Sequence, residues 1–372
     1  MLQQNRISQL LFVRREVVNV VKEIYVFGAG ASHASNQTPL GKDLVWNYHQ
    51  DCCMMSPIIN GQPDNREEDA RKHNFIKFLK IAGDYYPDLK GELDIFINRG
   101  ISMYAQPYNM PKKYYIDEML RELFEKNDFK SISLVRQLIF EHLAETIFSR
   151  PRNDLYKKFV NKVLLEKSVE DVAIISFNFD YLLNETLNDH VSFDYFIEFD
   201  HISSIHRDDL YKQSKVFPLL KLNGSLDWGI CSKCGYLYLY FPHMNYNFYN
   251  GEACYDCGGQ IHPFIYIPHE KHSQKIEILY DIALGYIREA KKIIVIGYSF
   301  PFYDTKVIDL FSKALSSKTQ IEIIDLYEGT KREGIAYCNQ LTSRVLSLFP
   351  ACRDIQVRND GFEGFIDQIE NI

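Results

Sequence analysis

The sequence contains no long run of lysine and arginine, and its 49 acidic residues outnumber its 42 basic residues, which gives a net charge of −7. This balance does not support a broad nucleic-acid or membrane-binding surface. An apolar run of membrane-spanning length is also missing near the start, because Arg14, Arg15 and Glu16 interrupt the apolar residues there. The N-terminal stretch therefore resembles neither a signal peptide nor a membrane span, and we expect a cytoplasmic protein.

Apolar segments alternate with helical ones along the 372 residues. The first, Ile24 to Phe27, lacks polar alternation and is typical of a strand buried on both faces of a parallel sheet. From about Arg66 to Ser168 the periodicity is helical, which predicts a helical insert over residues 66–168. The alternation predicts an α/β fold with a Rossmann-like, doubly wound parallel sheet. Further strands are expected within residues 172–180, 217–222, 292–299, 320–325 and 355–357.

A glycine-rich turn, Gly28-Ala29-Gly30-Ala31-Ser32, follows the first predicted strand. Such a turn can direct backbone N–H groups at a pyrophosphate, so a nucleotide is the expected ligand. The dinucleotide fingerprint would place a third glycine at position 33, where this sequence has His33. A plain tight turn therefore remains the alternative.

Small or polar residues also end the other predicted strands: Asn178 to Asp180, Asn223 to Ser225, Gly297 to Ser299, and Asp325. In an open α/β sheet these ends converge on one crevice, where ligands bind. The alternative is that each residue only caps a helix or turns the chain. We expect Asp325 to accept hydrogen bonds from a ribose, because a carboxylate suits vicinal hydroxyls and would repel a 2′-phosphate.

Two Cys-x-x-Cys pairs, Cys231 with Cys234 and Cys254 with Cys257, are separated by nineteen residues. This spacing predicts a four-cysteine structural zinc site within a small zinc-ribbon module over residues 229–262. Four sulfur ligands would leave no open coordination position, so we expect no catalysis by the metal. A redox Cys-x-x-Cys is the alternative.

Taken together, these motifs resemble those of sirtuin-like proteins of the bacterial branch that hydrolyses NAD⁺ in antiphage defence. The resemblance extends from residue 24 to about residue 325 and implies a single sirtuin-like domain over residues 1–372. It implies NAD⁺ as ligand, Asn178 and Asp180 beside the nicotinamide ribose, and Zn²⁺ in the cysteine module. It also implies a homo-oligomer and a partner such as a ring-forming ATPase. The matching motifs are Gly28 to Ser32 with Pro39 to Gly41, Leu93 to Phe96, Ser176 to Asp180, Lys221 to Ser225, the four cysteines, and Ile296 to Phe300 with Asp304.

One position departs from that family's pattern, since Asn223 stands where a histidine base is usual. Asparagine cannot take up a proton near neutral pH, and loss of a general base costs roughly a hundredfold to ten-thousandfold in rate. The asparagine is either a native alteration or an inactivating substitution. His269 is a conceivable substitute, although an ordinary surface histidine is the simpler interpretation.

Three functions remain at this point. The first is an NAD⁺ glycohydrolase in which Asn178, Asp180 and Asn223 form the catalytic group. The second is a module that binds NAD⁺ or a related nucleotide without turnover. The third is an NAD-dependent protein deacylase, which the predicted helical insert disfavours because an acyl-lysine peptide needs an open cleft.

Overall fold

The computed structural model describes most of the chain. The described residues are 21–40, 58–59, 62–63, 65–98, 116–149, 152–202, 216–240, 253–267, 269–271 and 273–370. The N-terminal stretch around Arg14 and Gly41 of the Pro39 to Gly41 motif lie outside them.

Each of the six regions predicted as strands contains a strand, and a helical segment lies between the first and fourth strands. Within the described residues, six strands follow one another between residues 192 and 265 without a helix between them. The first half contains β1 (Glu23–Phe27), α1 (Ala29–Asn36), β2 (Ile58–Ile59), β3 (Gln62–Pro63), α2 (Asn65–Tyr85), α3 (Lys90–Asn98), α4 (Ile116–Glu125), α5 (Phe129–Ser149), α6 (Leu155–Phe159), β4 (Val172–Ser176), α7 (Leu182–Asn188) and β5 (Ser192–Asp194). The second half contains β6 (His201–Ile202), β7 (Val216–Lys221), β8 (Gly224–Cys231), β9 (Leu237–Leu239), β10 (Ile261–Ile265), α8 (Gln274–Glu289), β11 (Lys292–Ile296), α9 (Thr305–Ala314), β12 (Gln320–Ile324), α10 (Lys331–Leu348), β13 (Asp354–Arg358) and α11 (Gly361–Glu370).

Among the described residues, seven strands form one parallel sheet in the order β13-β12-β11-β1-β4-β7-β5. After β1, the chain forms β4, β5 and β7 on one side of β1. It then crosses to the other side of β1, where it forms β11, β12 and β13. The switch therefore lies between β1 and β11, where an open α/β sheet forms its crevice. This confirms the α/β, parallel-sheet prediction. Edge strand β5 was not predicted, because three residues carry too little periodicity.

The central strands are buried as their continuous apolar character predicts. Ile24 and Val26 of β1 are fully buried, and all five residues of β4 are buried. Edge-to-face aromatic contacts join β1 to the helices, with Phe27 at 5.1 Å from Phe159 and 5.8 Å from Phe362 between ring centroids. Such pairs add stabilisation beyond the area they bury. The sheet and its covering helices thus share one core.

Helices α2 to α6 lie between β1 and β4 along the chain. Arg71 of α2 forms an ion pair with Glu145 of α5 at 3.3 Å, and Arg136 of α5 pairs with Glu270, which follows β10. The insert limits of 66–168 stay a prediction. Within the described residues, no helix combines the length and apolar character that a membrane crossing requires.

A second sheet has the order β10-β8-β9-β6. Strand β8 continues from β7 after a two-residue turn, so the carboxyl end of the large sheet leads directly into this smaller one. The small sheet carries the four cysteines, and the predicted module limits of 229–262 stay a prediction.

Candidate functional site

The carboxyl ends of the parallel strands lie in one register row. Phe27 of β1 pairs with Ile296 of β11 on one side and Ser176 of β4 on the other. The same row continues to Lys221 of β7 and Ile324 of β12. All the predicted strand-end residues therefore follow one edge of the sheet. Four strand spacings of about 4.8 Å separate the β7 end from the β12 end, which is roughly 19 Å.

The glycine-rich turn is a strand-to-helix junction. Gly28 is extended, and Ala29 already begins α1, so most of the predicted loop is the first turn of a helix. The N–H of Gly28 donates to the Ile296 carbonyl at 3.0 Å, and the N–H of Gly30 donates to the Gly297 carbonyl at 2.9 Å. These two donors hold the β11 turn. The Ala31 N–H also donates within the protein, to the Gly28 carbonyl at 3.0 Å. An anion at this junction would therefore interact with the dipole at the N-terminus of α1 and not with these three N–H groups.

The two turns also approach too closely for side chains. A Cβ on Gly28 would lie 2.4 Å from the Tyr298 Cβ, and one on Gly30 would lie 2.8 Å from the Gly297 Cα. Gly297 has φ of +65°, and a Cβ there would lie 2.2 Å from the Ala31 nitrogen. The glycines are thus required for contact between the β1 and β11 turns, whichever ligand binds.

Asn178 lies two residues beyond β4, and its amide group faces the β1 turn. Its Nδ2 donates to the Gly28 carbonyl and to the Ser32 hydroxyl, both at 2.9 Å. Because a carbonyl only accepts, the nitrogen must face Gly28, which fixes the orientation of the amide. Both N–H bonds are then used within the protein. Among the described residues, none donates to Oδ1, which is left to accept from a ligand or a water molecule.

Asn223 and Ser225 bind the backbone on either side of Asn178. The Asn223 Nδ2 donates to the Phe177 carbonyl at 3.1 Å, and the Ser225 hydroxyl donates to the Phe179 carbonyl at 3.4 Å. Gly224 between them has φ of +77°, and a Cβ there would lie 2.1 Å from the Phe264 carbonyl oxygen. The structure thus brings Asn178 and Asn223 together. His269, considered as a substitute base, is exposed, with φ of +66°.

Asp180 is buried at the start of α7, where its Oδ1 accepts from the Leu182 N–H at 3.1 Å. The ammonium group of Lys221 donates to the Asp180 backbone carbonyl. Lys221 is only 1% exposed, and burial lowers its pKa, while the charges of Asp180 and Asp227 act in the opposite direction. Asp180 therefore accepts a hydrogen bond from the first N–H of α7 and shares a buried charge cluster with Lys221 and Asp227. Its predicted place beside a ribose stays a prediction.

The opposite end of the row contains Ser299 and Asp325. Asp325 accepts from the Leu326 N–H at 3.0 Å and from the Tyr337 hydroxyl of α10. Burial raises the pKa of Asp325, against the lowering effect of the Tyr337 hydroxyl. Arg344, also on α10, donates to the Ser299 carbonyl and lies near enough to Asp325 to favour its charged form. Protein groups thus already engage both oxygens of the predicted ribose acceptor.

The four cysteines lie in two turns of the small sheet and form one cluster. All four sulfur atoms lie within 4.8 Å of one another, with Cys231 3.4 Å from Cys257 and Cys234 3.6 Å from Cys254. A tetrahedral Zn²⁺ with Zn–S bonds of about 2.3 Å needs sulfurs about 3.8 Å apart, so the cluster fits this ion. Gly235 and Gly258, at φ of +73° and +66°, turn the backbone after each pair.

Hydrogen-bond donors surround the sulfurs. The Tyr238 hydroxyl donates to the Cys254 sulfur at 3.0 Å, and backbone N–H groups of Lys233 and Gly259 donate to Cys231 and Cys257 at 3.4 Å. Burial acts to raise the pKa of Cys254, but the Tyr238 hydroxyl and neighbouring N–H groups outweigh it and lower the pKa to about 6. Donors of this kind stabilise thiolates and orient metal ligands.

Sequence reasoning missed Tyr156, Tyr238 and Arg344. Tyr156 and Arg344 approach the crevice from helices distant along the chain, whereas Tyr238 lies within the cysteine module, between Cys234 and Cys254. It listed Lys221 only within a motif. The sequence did contain a signal for Lys221, because this lysine directly follows the apolar run Phe217 to Leu220. A charged side chain at a buried strand end must have a partner, so a polar contact could have been predicted there. For Tyr156 and Arg344 the local sequence contains no such signal.

No protein-family model matches the chain, and no curated protein sequence matches it either. Among solved structures, a complex of a Sir2 homologue with NAD is 14% identical with a TM-score of 0.45 and covers 96% of this chain and 91% of the other. A structure described for the mechanism and regulation of Sir2 enzymes is 15% identical with a TM-score of 0.42 and covers 96% of each chain. A complex of Sir2 with a p53 peptide and NAD⁺ is 12% identical with a TM-score of 0.43, covering 94% and 92%. At these values the similarity supports no conclusion about ligand or activity.

Proposed function

We propose that this protein binds NAD⁺ along the carboxyl edge of its large sheet and hydrolyses the bond between nicotinamide and ribose. The orientation of Asn178 carries the proposal. Its amide nitrogen is held by Gly28 and Ser32 at the switch point, and its Oδ1 is left as an acceptor where the fold forms a crevice. The motif resemblance supplies NAD⁺ as the nucleotide.

The ligand would lie across the switch, with its adenosine end near Asp325 and its nicotinamide ribose near Asn178 and Asn223. The pyrophosphate would then lie near Gly28 to Ser32 and Gly297 to Ser299, at the positive end of α1. Asp180 would orient the ribose or a water molecule from the buried side. These ligand-binding roles remain proposals for each residue named.

Chemistry at this site would depend on positioning. Asn223 cannot act as a base near neutral pH, and its Nδ2 is already bound to Phe177. Cleavage of the nicotinamide bond passes through a cationic state that oriented acceptors stabilise, so slow hydrolysis is compatible with these residues. Zn²⁺, when bound by the four cysteines, would organise the small sheet and take no part in the reaction, because all four positions carry sulfur.

The proposal is tested by measuring the rate at which wild-type protein, Asn178→Ala and Asn223→His release nicotinamide from NAD⁺. We expect Asn178→Ala to abolish release and Asn223→His to raise it by about tenfold or more, since histidine has an unperturbed pKa near 6.5. NAD⁺ affinity should change little in Asn223→His. Release that is unchanged in Asn178→Ala would refute the proposed site.

The second candidate is a module that binds NAD⁺ without turnover, which Asn223 favours because the usual base is missing. Tight NAD⁺ binding without release by either wild-type protein or Asn223→His would favour it. The third candidate, a deacylase, requires release that depends on an acyl-lysine peptide. A role as an effector of antiphage defence and a ring-forming ATPase partner rest on the motif resemblance alone. Homo-oligomer formation rests on that resemblance and on the predicted helical insert, and the cytoplasmic location rests on the N-terminal stretch of the sequence. Light scattering that shows only a 43.6 kDa monomer at micromolar concentration would contradict the oligomer.

A further inference from the structure

A buried tyrosine connects the helical segment between β1 and β4 to the amide of Asn178. Tyr156 lies in α6, and its hydroxyl is 2.9 Å from the Ser32 hydroxyl of α1. The Ser32 oxygen in turn accepts from the Asn178 Nδ2 at 2.9 Å. Tyr156 and Ser32 are 3% and 1% exposed, so no bulk water competes for these hydrogen bonds.

The ring of Tyr156 is fixed independently of its hydroxyl. It packs edge-on against Phe27 of β1 and Phe362 of α11, at 5.6 and 5.5 Å between ring centroids. Aromatic contacts of this kind hold a ring in one orientation. The position of the hydroxyl is therefore set by the core, and the hydroxyl determines where Ser32 can accept.

The charge state of Tyr156 is also fixed. Burial raises the pKa of its phenol well above the ordinary value, and the nearby charge of Asp180 raises it further, while the side chains of Ser32 and Asn178 act in the opposite direction without cancelling the effect of burial. The hydroxyl therefore keeps its proton at physiological pH and stays available as a hydrogen-bonding group. Together with the Gly28 carbonyl, the Ser32 oxygen uses both N–H bonds of Asn178.

We propose that Tyr156 is a positioning residue that acts through Ser32 to hold the Asn178 amide with its Oδ1 directed at the ligand. Without this support one N–H bond of Asn178 loses a fixed acceptor, and the amide is held by Gly28 alone. The helical segment would thereby fix the orientation of the Asn178 amide without contacting the nucleotide. The role in turnover rests on the proposed function, but the hydrogen-bond relay itself does not.

The chain offers a closely matched pair of variants. Tyr156→Phe keeps the ring in the aromatic cluster and removes only the hydroxyl. Tyr181→Phe removes a hydroxyl from a second fully buried tyrosine, and among the described residues that hydroxyl has no hydrogen-bond partner. A difference between the two variants therefore reports the contact with Ser32 and not the loss of a buried phenol in general.

The first measurement is solvent exchange of the Asn178 side-chain amide protons by NMR in the full chain, assigned by the signal lost in Asn178→Ala. We expect exchange to be about three- to tenfold faster in Tyr156→Phe, because one net hydrogen bond corresponds to that factor, and unchanged in Tyr181→Phe. Ser32→Ala should show the same acceleration, and adding Tyr156→Phe to it should have little further effect. Equal exchange in Tyr156→Phe and wild-type protein overturns the relay.

The second measurement is nicotinamide release and NAD⁺ affinity for the same variants. We expect kcat to fall by about three- to tenfold in Tyr156→Phe, with NAD⁺ affinity within error of that of Tyr181→Phe. Failure of the wild-type protein to bind NAD⁺ would refute the proposed function, while amide exchange would still decide whether Tyr156 orients Asn178. A fall in thermal midpoint with unchanged exchange would assign Tyr156 a structural role only.

Discussion

The cysteine cluster and the crevice are both formed by turns that follow strands, but different interactions hold them. In the cluster, four thiol sulfurs lie within 4.8 Å of one another, which favours a bound cation. In the crevice, backbone contacts between Gly28, Gly30 and Gly297 set the geometry, and amides complete it. The comparison teaches that the crevice can form from chain packing alone, whereas four thiolates as close as those of the cluster would repel one another without a bound cation.

Loss of one sulfur should have the largest effect. We predict that Cys231→Ser removes the metal and destabilises the small sheet by several kcal/mol, since structural zinc contributes about 10–16 kcal/mol of apparent binding free energy at pH 7. Zinc content and thermal unfolding measure this, with Ser232→Ala in the same exposed turn as control. About one zinc per chain is expected in the control and in wild-type protein. Protein purified without chelator that contains no zinc would contradict the prediction.

A substitution at Gly297 should test the crevice in the same way but with a smaller effect. Gly297→Ala places a Cβ in a left-handed conformation and 2.2 Å from the Ala31 nitrogen, so we expect a loss of about 2–5 kcal/mol in unfolding free energy. Gly285→Ala is the control, because its Cβ meets no atom within 4 Å and it lies inside α8. The control should gain up to about 1 kcal/mol from helix propensity. Denaturant unfolding in which both variants behave alike would show that the two turns are not in tight contact.

The smallest expected effect is the pH dependence contributed by Asp325. Because burial raises its folded pKa above the ordinary value, the folded protein binds this proton more tightly than the unfolded chain does. Its favourable contribution is therefore fully present below about pH 3.9 and is lost as pH rises through the folded pKa. We expect Asp325→Asn to gain roughly 1 kcal/mol relative to wild type between acid and neutral pH.

Denaturant unfolding of both proteins at a series of pH values measures this difference. Asp354→Asn, at an exposed position in β13, is the control and should follow the wild type. If the unfolding free energy of Asp325→Asn changes with pH in the same way as that of wild type, protonation of Asp325 does not affect the stability of the crevice.

The two regions also differ in how much the sequence reveals. The cysteine spacing is local and specific, so it predicts which four sulfur atoms come together. The ends of the strands are equally predictable from the sequence, because apolar runs stop at Asn178, Asn223 and Asp325. The parallel direction of the strands is predicted by the alternation of strands and helices along the chain.

Other features depend on contacts between distant segments and were not predictable. The sequence suggested that Gly28 and Gly30 would direct N–H groups at a ligand, but the register of β1 with β11 gives those donors to Ile296 and Gly297. Strand β6, at His201, joins the cysteine-bearing sheet by pairing with β9, although nothing near it in sequence indicates that place. Tyr156 likewise reaches Ser32 across 124 residues.

The central position of β1 has a consequence for synthesis on the ribosome. Its neighbour β4 begins about 145 residues later along the chain, and its other neighbour β11 ends at Ile296, about 270 residues after Phe27. At about 5–20 residues per second, β1 would wait roughly 15 to 50 s before both of its edges are paired. During that time an apolar strand is available to chaperones or to aggregation, so the rate of translation and the supply of chaperones should govern the yield of this fold.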